Sequence, residues 1–425
     1  MTEGAAGPLS GLRVLEVGGA EGAWCGKLLA DMGATVVKIE PREGDPTRAC
    51  GPFYQDTPGP NNSLYFWHYN TNKKSITLDL SSASSQGLFR RLAASVDVLI
   101  DSYPPGHLDR LGVGYAALRK GNPRLIMAAI TPFGQDGPYR DYAATDLTIL
   151  AFGGPAWSCG YDDHSVPPMR GGGNQGYHVA CHWAAISIMI ALLHRNRSGE
   201  GQFIDVNMHA AANVTTEGAT YNWMVNRSMV QRQTGRHASS RSTRPSQVLC
   251  GDGRYLNTGI SLRSEGEWMS MLAWLNENGV LDDLDENLAP PSREALAKGD
   301  PEALEAIRRV SEAVEALALK RKDGLELFQE AQERGFQWGI IYSPDEVMED
   351  PHFQARGFVV EVEHLELGKT FRYPGAPYRF TVSPWAVRRR APLLGEDNQT
   401  IYGQELGLTP EEMAALARDG VIYGL

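Results

Sequence analysis

The chain has 425 residues, 40 Lys+Arg against 51 Asp+Glu, and a formal net charge of −11. That length accommodates two or three domains, and 42% hydrophobic with 21% charged residues is the balance of a globular protein with a large core. An acidic balance without any Lys/Arg block argues against nucleic acid or an anionic membrane as the main partner, while leaving room for a local basic pocket that takes an anion.

The first third alternates short apolar runs with helical stretches. RVLEV at 13–17 is followed by the turn GGAEG, a helix over 23–32 closed by Gly33, and the strand TVVKI at 35–39. A helix at 86–94 precedes DVLI at 97–100, and a short helix at 115–120 precedes LIMAAI at 125–130. Buried strands joined by helical crossovers predict a parallel α/β sheet. A Gly/Pro-rich stretch at 159–176 leads into a long helix over 177–195, ended at Gly199, and FIDV at 203–206 reads as another strand. From about residue 222 the composition changes. A basic Ser/Thr-rich loop at 231–245 precedes a strand-turn region at 251–259 and helices at 267–276 and 301–320. Strands return at 339–342, 358–363 and 371–373. The division expected is a large domain over 1–221, a smaller inserted α+β domain over 222–338, and a return to the large domain over 339–425.

Five cysteines, far apart and without a C-x-x-C, exclude a zinc ribbon or redox dithiol pattern. The opening MTEGAAGPLSG lacks the basic and apolar regions of a signal peptide. The apolar run at 180–193 is interrupted by His182 and Ser187 and is short for a membrane span. The expectation is a cytoplasmic protein with reduced thiols and no membrane partner.

Four places carry candidate chemistry. Gly18, Gly19 and Gly22 lie between a strand and a helix, with Glu40 ending the next strand, but G-G-A-E-G-A is not the G-x-G-x-x-G that a dinucleotide pyrophosphate needs, so no nicotinamide site is expected. His178, Cys181 and His182 share one helix face, where they either hold a metal or pack beside Trp183; without an H-E-x-x-H pattern, no metal is expected. Asp146, leading into an apolar run, is either a helix N-cap or a catalytic carboxylate. The segment PPMRGGGNQGY at 167–177 joins three glycines to Arg170, Asn174 and Gln175 at a helix N-terminus; it is either a flexible linker or, as Arg170 and Asn174 in the same turn favour, a site that suits an anion or a developing oxyanion.

Six segments in order resemble the family III CoA-transferases, the CaiB/BaiF family. They are GLRVLEVGGAEGAWCGKLLADMGATVVKIEPREGDPTR, YFWHYNTNKKSITLDL, DVLIDSYPPGHLDRLGVGYAALRKGNPRLI, HRNRSGEGQFIDVNM, YPGAPYRF and RAPLLGED. The resemblance implies a Rossmann-like large domain, a smaller domain and an interlocked dimer. It also implies transfer of CoA between carboxylic acids through an aspartate that attacks the thioester, forms a mixed anhydride and then carries CoA as an aspartyl thioester. CoA contacts would fall on Gly19, Ala20, Glu21, Leu78, Ser102, Tyr103 and Arg110, the last as a phosphate partner. Two departures occur here: Glu21 stands where Gln is common, and after K-I-E the basic position is Pro41, with Arg42 next.

The larger departure is catalytic. The position of the nucleophilic aspartate falls on Asn174, and no Asp or Glu lies between Asp163 and Glu200. An amide is neutral, with a delocalised nitrogen lone pair, and cannot serve as that nucleophile. The related racemases pair a His before the Asp146 position with the aspartate; here these are Thr145 and Asn174. Three explanations stay open: a silent subunit paired with a homologous chain that carries the aspartate, as in transferases acting on aromatic diacids such as benzylsuccinate; an Asp→Asn replacement; or another carboxylate, Asp146 first. A subunit that only binds CoA or stabilises its partner is the non-enzymatic alternative. Trp24, Trp67, Trp157 and Trp183 either line a pocket for an aromatic acid or belong to the core.

Overall fold

The computed structural model describes residues 6–216, 218–258, 264–281 and 288–424. It divides into two compact units, one made of residues 1–155, 170–216 and 351–425, the other of 156–169 and 217–350.

The first unit is built on six parallel strands, β1 (Arg13–Val17), β2 (Thr35–Glu40), β3 (Lys74–Thr77), β4 (Val98–Asp101), β5 (Ile126–Thr131) and β6 (Phe203–Asn207), in the order β3-β2-β1-β4-β5-β6. Every strand but β3 places apolar residues in both cores, as a parallel sheet covered on both sides requires. Successive residues alternate between the two cores: Val14, Val36 and Ile100 face one, Leu15, Val37 and Leu99 the other. The connecting helices are α1 (Ala20–Asp31), α2 (Leu64–Tyr69), α3 (Ala83–Ala94), α4 (His107–Arg110), α5 (Tyr115–Leu118), α6 (Asp146–Gly153), α7 (Gln175–Ser198) and α8 (Met208–Val214). Their starts follow local chemistry: Ser82 and Thr145 each close a capping box with the residue three positions on.

Helix α7 has 24 residues and ends at Gly199 in the left-handed region. It is longer than the 177–195 read from sequence, and by length and composition alone it would reach across a bilayer. Here one side of it is core, through Ala180, Cys181, Ala184, Ile188 and Ala191, and Arg195 pairs with Asp97 at 3.0 Å.

The second unit contains α9 (Gly218–Asn226), a hairpin of β7 (Gln231–Gln233) and β8 (Arg236–Ser239), and an antiparallel sheet of β9 (Gln247–Leu249), β10 (Tyr255–Asn257) and β11 (Gly339–Ile340). Helices α10 (Glu265–Glu277), α11 (Arg293–Lys298), α12 (Pro301–Lys320), α13 (Gly324–Glu333) and α14 (Pro344–Glu349) complete it, around Trp268, Trp274, Leu256, Val310 and Leu317. Three sequence expectations change here. The stretch 231–245, read as a loop, opens with the β7–β8 hairpin, because Gly235 at φ 66° permits the tight reversal. The strand read at 339–342 is short and pairs with β10, so the chain leaves this unit only after residue 350. Residues 156–169, placed by sequence with the first domain, belong here, Trp157 donating to the Val230 carbonyl. Residue 259, the end of the expected strand-turn region, lies outside the described residues.

After α15 (Pro351–Arg356), strands β12 (Val359–His364) and β13 (Lys369–Pro374) pair with each other rather than joining the six-stranded sheet, and α16 (Pro410–Arg418) packs on the second core face.

Candidate active site

Strand order reverses between β1 and β4, so the loops leaving these two strands diverge and open a crevice at the carboxyl edge of the sheet. Gly18, at φ 98°, makes the turn after β1 and has no room for a side chain against Ser102. Ser102, just past β4, accepts the Gly19 N–H at 3.1 Å and donates to the Val17 carbonyl. Gly19 is the N-cap of α1, Ala20 and Glu21 its first residues. Burial raises the Glu21 carboxyl above its ordinary range, and the nearby Asp45 adds to this against Lys38 and its own backbone hydrogen bond. Tyr103 lies against the His107 ring, 4.5 Å between centroids, and Arg110 closes the same loop.

The second half of the site is the N-terminus of α7, brought to α1 by the close packing of these helices. The buried Cys181 thiol donates to the Glu21 carbonyl at 3.0 Å. Asn174 is the N-cap residue of α7, yet its side chain makes no capping bond; its amide nitrogen donates to the Tyr65 hydroxyl. One turn on, His178 shares a 2.8 Å hydrogen bond with the Tyr69 hydroxyl and stacks on Trp24 at 4.6 Å. His68 also stacks on Trp24, at 5.8 Å, and the Trp24 indole N–H donates to His182 at 3.2 Å. Burial lowers the basicity of all three imidazoles, His68 down to about 4 with Lys27 and His178 contributing. The ring cluster beside Asn174 is therefore aromatic and half-buried.

Asp146 caps a helix, though not its own. Thr145 is the N-cap of α6, while the Asp146 carboxylate accepts the Tyr177 N–H in the first turn of α7 at 3.1 Å and pairs with Arg170 at 3.3 Å. A negative charge at the positive end of a 24-residue helix is electrostatically favourable, and the carboxylate is largely buried. Arg170 in turn donates to the Gly173 carbonyl at 2.5 Å, which folds the glycine run over Asp146.

The sequence-derived candidates divide accordingly. Gly19, Ala20, Glu21, Ser102 and Tyr103 meet at the crevice, with Asn174 and Asp146 at the adjoining helix end. Leu78 follows β3 and Arg42 follows β2, so both lie farther along the same edge; the Leu78 side chain is core, and Arg42 covers the Tyr423 ring at 4.9 Å. Of the four tryptophans only Trp24 reaches the helix end: Trp67 packs against His364 and Phe371, Trp157 lies in the second unit, and Trp183 is exposed on α7. His178, Cys181 and His182 are engaged by Tyr69, Glu21 and Trp24, and among the described residues no cluster of three His, Cys, Asp or Glu is placed to hold a metal.

Sequence reasoning missed Tyr65 and Tyr69, although their i, i+4 spacing before N-K-K was a usable signal. It also missed Asp101, whose carboxyl burial pushes up to about 7, Asp109 adding to the rise against the Tyr103 N–H that donates to it at 2.9 Å.

Comparison with known proteins agrees with this geometry. Residues 9–398 match the family described as CoA-transferase family III. The succinyl-CoA:(R)-benzylsuccinate CoA-transferase subunit BbsE of Thauera aromatica is 31% identical over 418 residues, covering 97% of this chain and 98% of its own. The succinyl-CoA–D-citramalate CoA-transferase of Chloroflexus aurantiacus is 31% identical over 425 residues, covering 98% of each. A crystal structure of a CaiB/BaiF family protein from Brucella suis superposes with a TM-score of 0.77 at 27% identity, over 94% of this chain and 99% of that one. The β1/β4 crevice, the helix end beside it and these full-length matches together place the chain in CoA-transferase family III.

Proposed function

We propose that this chain is one subunit of an acyl-CoA:carboxylate CoA-transferase, moving CoA from a donor such as succinyl-CoA to a bulky or aromatic carboxylic acid, with the nucleophilic aspartate supplied by a homologous partner subunit. The observation that carries this reading is Asn174: an amide stands at the start of α7, where the family resemblance expects the attacking carboxylate. The crevice residues Gly19, Ala20, Glu21, Ser102 and Tyr103 would bind CoA, Leu78 and Arg42 extending the contact along the sheet edge. In the complete reaction a carboxylate attacks the donor thioester, the donor acid leaves by way of a mixed anhydride, and the acceptor acid then takes CoA from the resulting aspartyl thioester. Asn174 cannot take the first step, and Asp146, held by Tyr177 and Arg170, is committed to capping α7.

The partner finds support in the relative named as a subunit and in the outer face of α7, where Trp183, Ile186, Ile190 and Leu193 lie exposed on one stripe. The aromatic acceptor finds support in Trp24, Tyr65 and Tyr69 around Asn174. Five free cysteines fit a reducing compartment. Exchange of labelled succinate into succinyl-CoA tests the reading. The purified chain alone is expected to be silent, and Asn174→Asp or an aspartate-bearing homologue from the same source to restore turnover. Full turnover by the unaltered chain overturns the partner assignment. CoA binding without exchange, even after Asn174→Asp and with the homologue, favours the alternative of a CoA-binding or stabilising subunit.

A further inference from the structure

Gly106 follows β4 and begins α4 in the left-handed conformation, at φ 72°. A Cβ placed on it would lie 2.9 Å from Nη2 of Arg140 and 3.5 Å from Nη1 of Arg110. Two guanidinium groups thus converge within 3.5 Å of one point, in space that a larger residue would fill. Arg110 comes from α4 and Arg140 from the loop after β5, so both stand at the carboxyl edge of adjacent strands, beside the crevice.

Among the described residues no carboxylate bridges the two guanidinium groups where they meet. Among the described residues Arg110 donates only to the Pro105 carbonyl, at 3.3 Å. Asp109, the acid nearest in sequence, is turned against Gly114. Arg140 reaches Asp141 at 3.3 Å through its other terminal nitrogen, and that carboxylate is 75% exposed. Like charges on flexible surface side chains separate in water unless something draws them together. Paired guanidinium forks without a shared carboxylate match the tetrahedral oxygens of a phosphate, each fork donating two hydrogen bonds.

We infer that Arg140 joins Arg110 in a clamp for a phosphate group of the CoA substrate. The inference rests on the CoA reading above and adds to it a residue, Arg140, that lies thirty positions from Arg110 in a turn with no motif. Two phosphates of CoA share this chemistry, the 3′-phosphate and the diphosphate, and dephospho-CoA, which keeps only the diphosphate, distinguishes them.

The test is calorimetric titration of the full chain with CoA and with dephospho-CoA, for the unaltered protein, Arg140→Ala, Arg140→Lys and, as a control, Arg119→Ala, whose side chain pairs with exposed Glu200. Arg140→Ala is expected to weaken CoA binding about tenfold or more, Arg140→Lys less, and Arg119→Ala not at all. If only CoA weakens, the clamp holds the 3′-phosphate; if both ligands weaken alike, it holds the diphosphate. CoA binding by Arg140→Ala equal to that of the unaltered chain overturns the clamp and leaves the CoA reading standing. Failure of the unaltered chain to bind CoA at millimolar concentration overturns both. Arg140 is part-exposed and satisfies no buried group, so a thermal melt coincident with the parent's is expected for both variants.

Discussion

Asp146 and Asn174 share one helix end and divide its work: the carboxylate takes the helix N–H and the positive end of the dipole, leaving the amide free to bond Tyr65. Asp146→Asn should therefore cost stability at the α7 start, about 1 kcal/mol, read as a shift of the urea midpoint. Burial makes the state of Asp101 depend on pH well above the usual carboxylate range. Its folded-state pKa, about 7, lies above the unfolded value of about 3.9, so between these limits the folded chain binds the extra proton. Stability from this group is then highest below about pH 4 and declines as pH rises towards 7, by at most about 1.4 kcal/mol per pH unit. Asp101→Asn is expected to remove that slope, so its melting temperature should gain on the parent's from pH 4 to 7; parallel curves would show that Asp101 is ionised throughout. Both roles escaped sequence reading because Asp146 meets a backbone 31 positions away and Asp101 is perturbed by burial, neither of which leaves a local pattern.

At the scale of elements, the segments K-I-E-P-R-E-G-D-P-T-R and N-T-N-K-K-S carried the family resemblance, and five of their charged residues, Lys38, Glu40, Asp45, Arg48 and Lys73, turn out to be buried. Lys38 pairs with Glu16 at 2.9 Å and Asp45 at 2.6 Å, Lys73 with Glu16 at 2.8 Å, and Arg48 with Glu40 at 2.6 Å, all essentially without solvent contact. Burial opposes the charge on Lys38, but Asp45 and Glu16 more than offset it and hold its pKa above the ordinary lysine value. This network ties β1, β2 and the loop before β3 together directly under the crevice. Removing one partner strands a buried charge, so Lys73→Met should lower unfolding stability by about 3–5 kcal/mol in urea titration. A change below about 1 kcal/mol would mean that water reaches Glu16.

At the scale of the molecule, α7 presents two faces of opposite fate, one in the core and one carrying Trp183, Ile186, Ile190 and Leu193 to the surface. If a homologous chain covers the second face, Ile190→Glu with Leu193→Glu should convert the assembly to monomers in sedimentation without lowering helix content. An unchanged sedimentation coefficient would place the interface elsewhere. The α/β class, five of the six strands and the long helix could be read in advance because apolar periodicity and turn residues act within about ten positions along the chain, whereas β3, with Ile76 as its one apolar residue, leaves no such pattern. Which residues share the crevice came from family resemblance and not from local pattern, and the contacts of Tyr65 with Asn174 and of Arg140 near Gly106 could not be read at all, since they form only after the strand order β2-β1-β4-β5 brings their loops to one edge. Local sequence carries the elements and the missing nucleophile; long-range packing sets what surrounds it, because burial and charge proximity are properties of neighbours in space.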